Sequence, residues 1–182
     1  MLYTGKGDDG KTKTFGCDQK ISKSSAITEA LGCLDEINSF LGIVKVKAHD
    51  LGFMIQDLRI EQVVENIQQN LFIIQAELAG AEMKISEDKL RECEKLIGLI
   101  EGKLPPIKTF FVSGGTELAS HFDFARTLAR RAERRVVEVS DNGQKFGDYT
   151  LSYLNRLSSL LYALARISNH YAGINEEAPN YK

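Results

Sequence analysis

Long stretches of this chain contain almost nothing that stops a helix. Only three prolines occur in 182 residues, two of them adjacent at Pro105 and Pro106. Glycines gather near the start (Gly5, Gly7, Gly10, Gly16) and at Gly114 and Gly115. Proline removes a backbone donor and glycine costs backbone entropy in a helix, so their scarcity elsewhere leaves helix as the default. Apolar residues then recur at helical spacing in five segments.

The first helix is expected over about residues 26–48, with Leu31, Leu34, Ile37, Leu41 and Val44 on one face and Ser24 or Ser25 as its cap. The second spans about 57–82 on Val63, Ile67, Leu71, Ile74 and Leu78. Ser86 caps a third, carrying Leu90, Cys93, Leu96, Ile97 and Ile100 and stopping before Pro105. Thr116 caps a fourth on Leu118, Phe122, Ala125, Ala129, Ala132 and Val136. A fifth begins near Asp148, carries Leu151, Leu154, Leu157, Leu161 and Leu164, and frays before the polar tail GINEEAPNYK. Helices of similar length, up to roughly 35 Å at about 1.5 Å per residue, pack side by side. The expectation is one all-α domain: a five-helix bundle, four helices as core plus one more. Residues 1–25 form a glycine-rich segment, 26–172 the bundle and 173–182 the tail.

Composition narrows the function. Twenty-three basic and 25 acidic residues leave a formal charge of −2, so no global field calls for nucleic acid or an anionic membrane. No apolar run approaches the roughly 20 residues needed to span a bilayer, and the N-terminus has no signal pattern. Cys17, Cys33 and Cys93 lack CxxC spacing, and His49, His121 and His170 lie far apart, so no tightly held transition metal is indicated. The odd cysteine count fits a reducing compartment, and a cytoplasmic location is expected. No Ser/His/Asp or Cys/His set is readable.

Two segments carry possible chemistry. Residues 5–12, GKGDDGKT, satisfy the phosphate-loop pattern GxxxxGK followed by Ser or Thr. That motif needs a strand before it and a helix after it, and neither is readable here. The local chemistry outlives the fold: glycines let amides curl around an anion, Lys6, Lys11 and Lys13 add charge, and Thr12 adds a hydroxyl. A flexible tail is the competing reading. In the fourth helix, ARTLARRAERRVV places Arg126, Arg130, Arg131, Arg134 and Arg135 within ten residues, with Glu133 among them. At about 100° per residue, Arg126, Arg130, Glu133 and Arg134 fall on one flank of the apolar stripe, and Arg131 and Arg135 on the other. Guanidinium groups hold planar anions bidentately, phosphate foremost. An ordinary solvated face is the bland alternative, and RNA binding a third that the net charge disfavours. Asp35 and Glu36 read as a solvent-facing pair, with Asp35 alternatively paired with an arginine at a helix–helix or subunit contact. Asn155, between Leu154 and Leu157, needs its amide satisfied by a neighbouring helix or a ligand. Phe110 and Phe111 read as core or as a lid over a flat ligand.

Together, in this order, these segments resemble the PduO-type ATP:cob(I)alamin adenosyltransferases, a corrinoid adenosyltransferase family. YTGKGDDGKT resembles that family's TxxGDxGxT loop, and LGCLDEINSFLG its GxxDELNSxxG segment. FFVSGGTELASHFDFARTLARRAERRVV is similar to FxxPGG followed by ARxxxRRAERxxV, and YLNRLSSLLYALAR to NRLSDxLFxxAR. The resemblance covers nearly the whole chain. It departs at Ser24, Ser25 and Ile27, where two acids and an arginine are usual, at Ser113 for proline, at Ser159 for aspartate, and at Gly5 for a basic residue.

The resemblance implies a homotrimer with ATP at each subunit interface. Thr4, Gly5, Lys6, Gly7, Thr12, Lys13 and Lys23 of one chain would line the nucleotide, and Arg130, Arg131, Ala132, Glu133, Arg134 and Asn155 of its neighbour would complete the site. Arg126 would pair with Asp35 across the interface, and Phe110 would face the corrin and help displace its lower axial ligand. Mg²⁺ would accompany the triphosphate, and a reductase and a cobalamin-dependent enzyme are implied partners. The implied reaction moves the 5′-deoxyadenosyl group of ATP to cob(I)alamin. The reduced cobalt is itself the nucleophile, so the protein need only orient two reactants and stabilise the leaving triphosphate. Against this stand a non-catalytic nucleotide or cobalamin carrier, motivated by the departures after Lys23, and a purely structural bundle.

Overall fold

A computed structural model of the chain describes residues 2–14 and 19–181, so Gly16 and Cys17 lie outside it. The five helices are α1 (Ala26–Asp50), α2 (Ile60–Leu78), α3 (Glu87–Glu101), α4 (Glu117–Asp141) and α5 (Thr150–Tyr171). The helical expectation holds, with two short antiparallel strand pairs added to it. In one, β1 (Lys11–Thr12) pairs with β2 (Ile21–Ser22); in the other, β3 (Met54–Ile55) pairs with β4 (Leu58–Arg59).

The hairpin β3–β4 explains why α2 starts three residues later than its periodicity suggests. Gln56 turns the chain with φ +55°, and the Ile60 amide bonds back to the Phe53 carbonyl, so residues 54–59 are already committed. At the other end α2 stops at Leu78, not at residue 82. Gly80 takes φ +102°, and the Gly80 and Ala81 amides close on the Glu77 and Ala76 carbonyls. That closure satisfies carbonyls a continuing helix would otherwise have used. Two of the proposed caps act as expected: Ser25 Oγ accepts from the Thr28 amide, and Thr116 Oγ1 from the Ala119 amide. Ser86 occupies the cap position of α3 without a capping hydrogen bond from its side chain.

α4 is the middle of the bundle, packed on α1 at one side and α5 at the other; α2 packs on α1, and α3 on α5. Its buried stripe includes four alanines (Ala119, Ala125, Ala129, Ala132), which let both neighbours approach closely. Leu34, Ile37 and Leu41 of α1 and Leu154, Leu157, Leu161 and Leu164 of α5 close over it, all fully buried. Each such side chain contributes about 1.5–3 kcal/mol of burial. α3 buries only Cys93 and Ile100, as befits the added helix outside the four-helix core. Burial pushes the Cys93 thiol up to about 12, so it packs as an inert apolar group.

α5 ends at Tyr171, before the polar tail, as its periodicity predicts. After α5 the chain turns at Gly173 and runs back along the α3–α4 loop, where the Val112 amide donates to the Glu177 carbonyl at 2.8 Å.

Candidate functional site

The arginines of α4 divide by flank as their spacing predicts, and the two flanks have different partners. Towards α1, Arg131 pairs with Glu36, while Arg135 lies 3.6 Å from Glu29 and bonds Glu138 at 2.9 Å. Towards α5, Arg126 lies 3.6 Å from Asp123 on its own helix and 5.7 Å from the centroid of the Tyr162 ring. Its Nε is nevertheless buried without a hydrogen-bond partner. Arg130 and Arg134 are exposed and in no ion pair among the described residues.

Arg126 and Arg130 open onto a cavity of about 750 Å³ between α4, α5 and the α3–α4 loop, lined also by Phe110, Ser158, Ser159 and Tyr162. Phe110 is 79% exposed, so it belongs to the surface of this cavity rather than to the core. Burial raises the Tyr162 phenol above its ordinary range, leaving it a neutral hydrogen-bonding wall. The far end of the loop is fixed by two buried polar side chains. Asp123 accepts from the Gly114 amide at 3.1 Å; Asn169 accepts from the Thr116 amide at 2.9 Å and donates to the Gly114 carbonyl at 2.7 Å. A Cβ on Gly115, at φ +105°, would stand 2.3 Å from Asn169 Oδ1. Only glycine allows this approach.

The N-terminal segment is an ordered loop, not a P-loop: a strand follows it. Asp8 and Gly10 amides close turns on the Gly5 and Gly7 carbonyls, and the Lys23 amide bonds the Gly10 carbonyl at 2.9 Å. Asp9 shapes the loop, accepting from the Lys11 amide and from Lys20 Nζ at 2.7 Å; these bonds hold its carboxyl below its ordinary range. Lys23 lies over Gly7 so closely that a Cβ there would meet its ammonium at 2.8 Å. Thr12 sits on β1, and Thr4 accepts from the Lys6 amide at 3.4 Å.

The chain thus gathers its candidates into two groups. Gly5, Lys6, Gly7, Thr12, Lys13 and Lys23 share the hairpin at the start of α1; Arg126, Arg130 and Phe110 share the cavity. Among the described residues, no hydrogen bond or ion pair joins Thr4, Lys6 or Lys23 to Arg130, Arg134 or Asn155. Asn155 is exposed, not close to the core, and its amide is satisfied by Glu133 Oε1 at 2.9 Å. Ala132 is fully buried, so its methyl packs in the core and only its backbone is left for a ligand. Asp35 is exposed with no ion pair among the described residues, where Arg126 has Asp123 instead. Tyr162 and the loop anchors Asp123 and Asn169 escape sequence reading, because their importance lies in contacts 9 to 55 residues away in the chain.

The chain is thus a helical bundle with a cationic glycine loop before α1 and, between α4, α5 and the α3–α4 loop, a cavity lined by Arg126, Arg130 and Phe110. Residues 2–168 match the family model described as cobalamin adenosyltransferase, and the chain belongs to that family. Corrinoid adenosyltransferase PduO of Citrobacter freundii is 39% identical over 181 residues, 96% of this chain. The corrinoid adenosyltransferase of Bacillus subtilis is 36% identical over 180 residues, 96% of this chain and 90% of its own. The chain spans about half the length of the PduO relatives it matches, 51% for the Citrobacter protein and 53% for that of Salmonella typhimurium. In three dimensions it superposes on a variant PduO-type ATP:corrinoid adenosyltransferase from Lactobacillus reuteri complexed with cobalamin and ATP. The TM-score is 0.88 at 29% identity, covering 100% of this chain and 97% of the other.

Proposed function

We propose that this chain transfers the 5′-deoxyadenosyl group of ATP to cob(I)alamin. The observation that carries the reading is the cavity where Phe110, the unpaired Arg130 and the orphaned Nε of Arg126 converge. The Arg126 Nε has only the long 3.6 Å approach of Asp123, so its guanidinium is held beside the cavity without a hydrogen bond to that acid. In the reaction, reduced cobalt attacks the ribose 5′ carbon, the C5′–O bond breaks, a Co–C bond forms and triphosphate leaves. Arg130 and Arg134, with Arg131, offer charge to the leaving group; Lys6, Lys13 and Lys23 with the hairpin amides hold the nucleotide. Phe110 faces the corrin and excludes water from its lower side. No group of three or more His, Cys, Asp or Glu side chains among the described residues is placed to hold a metal. Mg²⁺ would accompany ATP on the triphosphate oxygens, as that ion commonly does.

The separation of the two candidate groups favours a site shared between copies. We propose a homotrimer in which one chain's hairpin meets its neighbour's arginines and Asp35 meets Arg126. Ile43 and Val46 of α1 and Phe124 of α4, each more than half exposed in a single chain, offer an apolar face for that contact. A cytoplasmic setting suits the free thiols Cys33 and Cys93, and among the described residues no helix is long and apolar enough to cross a membrane. Among the departures from the family pattern, Ser25 serves as helix cap and Ile27 packs against the core.

The decisive experiment is anaerobic incubation with ATP and chemically reduced cobalamin. Light-sensitive adenosylcobalamin and one triphosphate per transfer are expected. Binding of both ligands without product would overturn the catalytic reading in favour of a carrier.

A further inference from the structure

Arg166 is an arginine inside the apolar run of α5, 5% exposed, and the proposed chemistry makes no use of it. Burying a guanidinium is costly unless its donors are matched, and here they are matched by two segments outside α5, the tail that follows it and the α3–α4 loop. Its Nε lies 2.8 and 3.0 Å from the two carboxylate oxygens of Glu176, and Nη2 lies 2.7 Å from one of them. Nη2 also donates to the Pro105 carbonyl at 3.1 Å, and the guanidinium stands 5.2 Å from the centroid of the Phe111 ring. One side chain therefore ties α5, the returning tail and the α3–α4 loop together. Beside it the Glu177 carbonyl accepts from the Val112 amide at 2.8 Å.

The loop needs such ties. Among the described residues, 106–111 form no hydrogen bond of their own, and 105–110 are exposed. The anchors nearest to Phe110 are the Pro105 carbonyl on one side and Phe111 and Val112 on the other. All three belong to Arg166 or to the tail. Asp123 and Asn169 hold only the following Gly114–Thr116 corner.

We propose that Arg166 and Glu176 are positioning residues: their ion pair latches the tail onto α5 and so sets where the loop presents Phe110 over the cavity. The pair touches no reactant. It acts through the loop, and it acts on the corrin side of the site rather than on the nucleotide hairpin. An apolar pair of equal volume would pack in the same space, but it would not take up the Pro105 carbonyl or fix the tail by two directed bonds. The proposal rests on the reading of the cavity as the corrin site.

The test uses the full chain with Glu176→Gln and Arg166→Lys. Both keep side-chain length near native and remove the bidentate pairing. In the ligand-free protein, hydrogen exchange at the Val112 amide should accelerate at least tenfold while amides in the middle of α4 and α5 stay as in wild type. The dissociation constant for cobalamin, titrated in the presence of ATP, and its KM should rise at least fivefold, with the KM for ATP within twofold of wild type. Unchanged exchange at Val112 overturns the latch. Faster exchange with unchanged cobalamin affinity and KM overturns its role in positioning and leaves the pair purely structural. A wild-type chain that binds cobalamin but transfers nothing refutes the proposed activity alone, because the titration still reads the latch. Should Arg166→Lys fail to fold, Glu176→Gln, altered only in the tail, carries the measurement.

Discussion

The two flanks of α4 carry the same residue type and are used in opposite ways. On the α1 side Arg131 and Arg135 are committed to glutamates; on the α5 side Arg130 and Arg134 have no acid among the described residues, and Arg126 has Asp123 only at 3.6 Å, without a hydrogen bond to its Nε. Sequence spacing separates the flanks and places Glu138 one turn from Arg135, but it is blind to Glu36 and Glu29, which answer Arg131 and Arg135 from another helix. The lesson is that arginine count says little about anion binding. What matters is whether the protein has already supplied the anion.

The strongest way to break the contrast is Arg130→Ala. Arg130 is exposed and unpaired, so its loss should leave the melting temperature nearly unchanged, within what about 0.5 kcal/mol would produce. If it stabilises charge in the transition state, the transfer rate should fall at least tenfold, roughly 1.4 kcal/mol of barrier. Wild-type turnover in the reductive transfer assay would remove Arg130 from the mechanism and erase the difference between the flanks.

A finer division runs within the paired flank. Arg131 and Arg135 are both tied to exposed glutamates, and an exposed pair is worth only about 0–1 kcal/mol, so either can be surrendered cheaply. Only Arg131 is expected on the nucleotide. Arg131→Ala should therefore raise the KM for ATP several-fold, on the order of 1 kcal/mol of binding. Arg135→Ala should leave both kinetic constants within twofold. Equal effects from the two would show that position on the flank, not the resemblance at Arg131, governs the nucleotide.

The helices were legible because their apolar stripes repeat without interruption, and the flanks of α4 followed from the same geometry. What stayed hidden depends on contacts between distant segments. The start of α2 reads as helix until Gln56 turns residues 54–59 into a hairpin. GINEEAPNYK reads as a solvated tail because nothing local reveals that Glu176 answers Arg166. Conversely, an arginine amid Leu164, Ala165 and Ile167 was a visible signal that a buried carboxylate or carbonyl had to come from elsewhere. Tyr162 was similarly masked, since a tyrosine at helical spacing reads as core until the cavity beside it is seen.

The N-terminal hairpin repeats the division between committed and uncommitted cations on a smaller scale. Lys20 is tied to Asp9 at 2.7 Å, whereas Lys23 lies against Gly7 with no ion pair among the described residues. Asp9 has its carboxyl lowered first by the bond from Lys20 and then by the Lys11 amide. A depressed carboxyl stabilises its structure above the ordinary value of 3.8, and the contribution is lost as pH falls through the lowered one. In an NMR titration Asp9 should therefore change protonation below 3.8, and Lys20→Ala should move it upward, leaving only the amide to hold it. The group is fully exposed, so the melting temperature should hardly move in either direction. A midpoint that ignores Lys20 would mean the lysine is not committed in solution, and the hairpin would then offer Lys20 alongside Lys23 to the same anion.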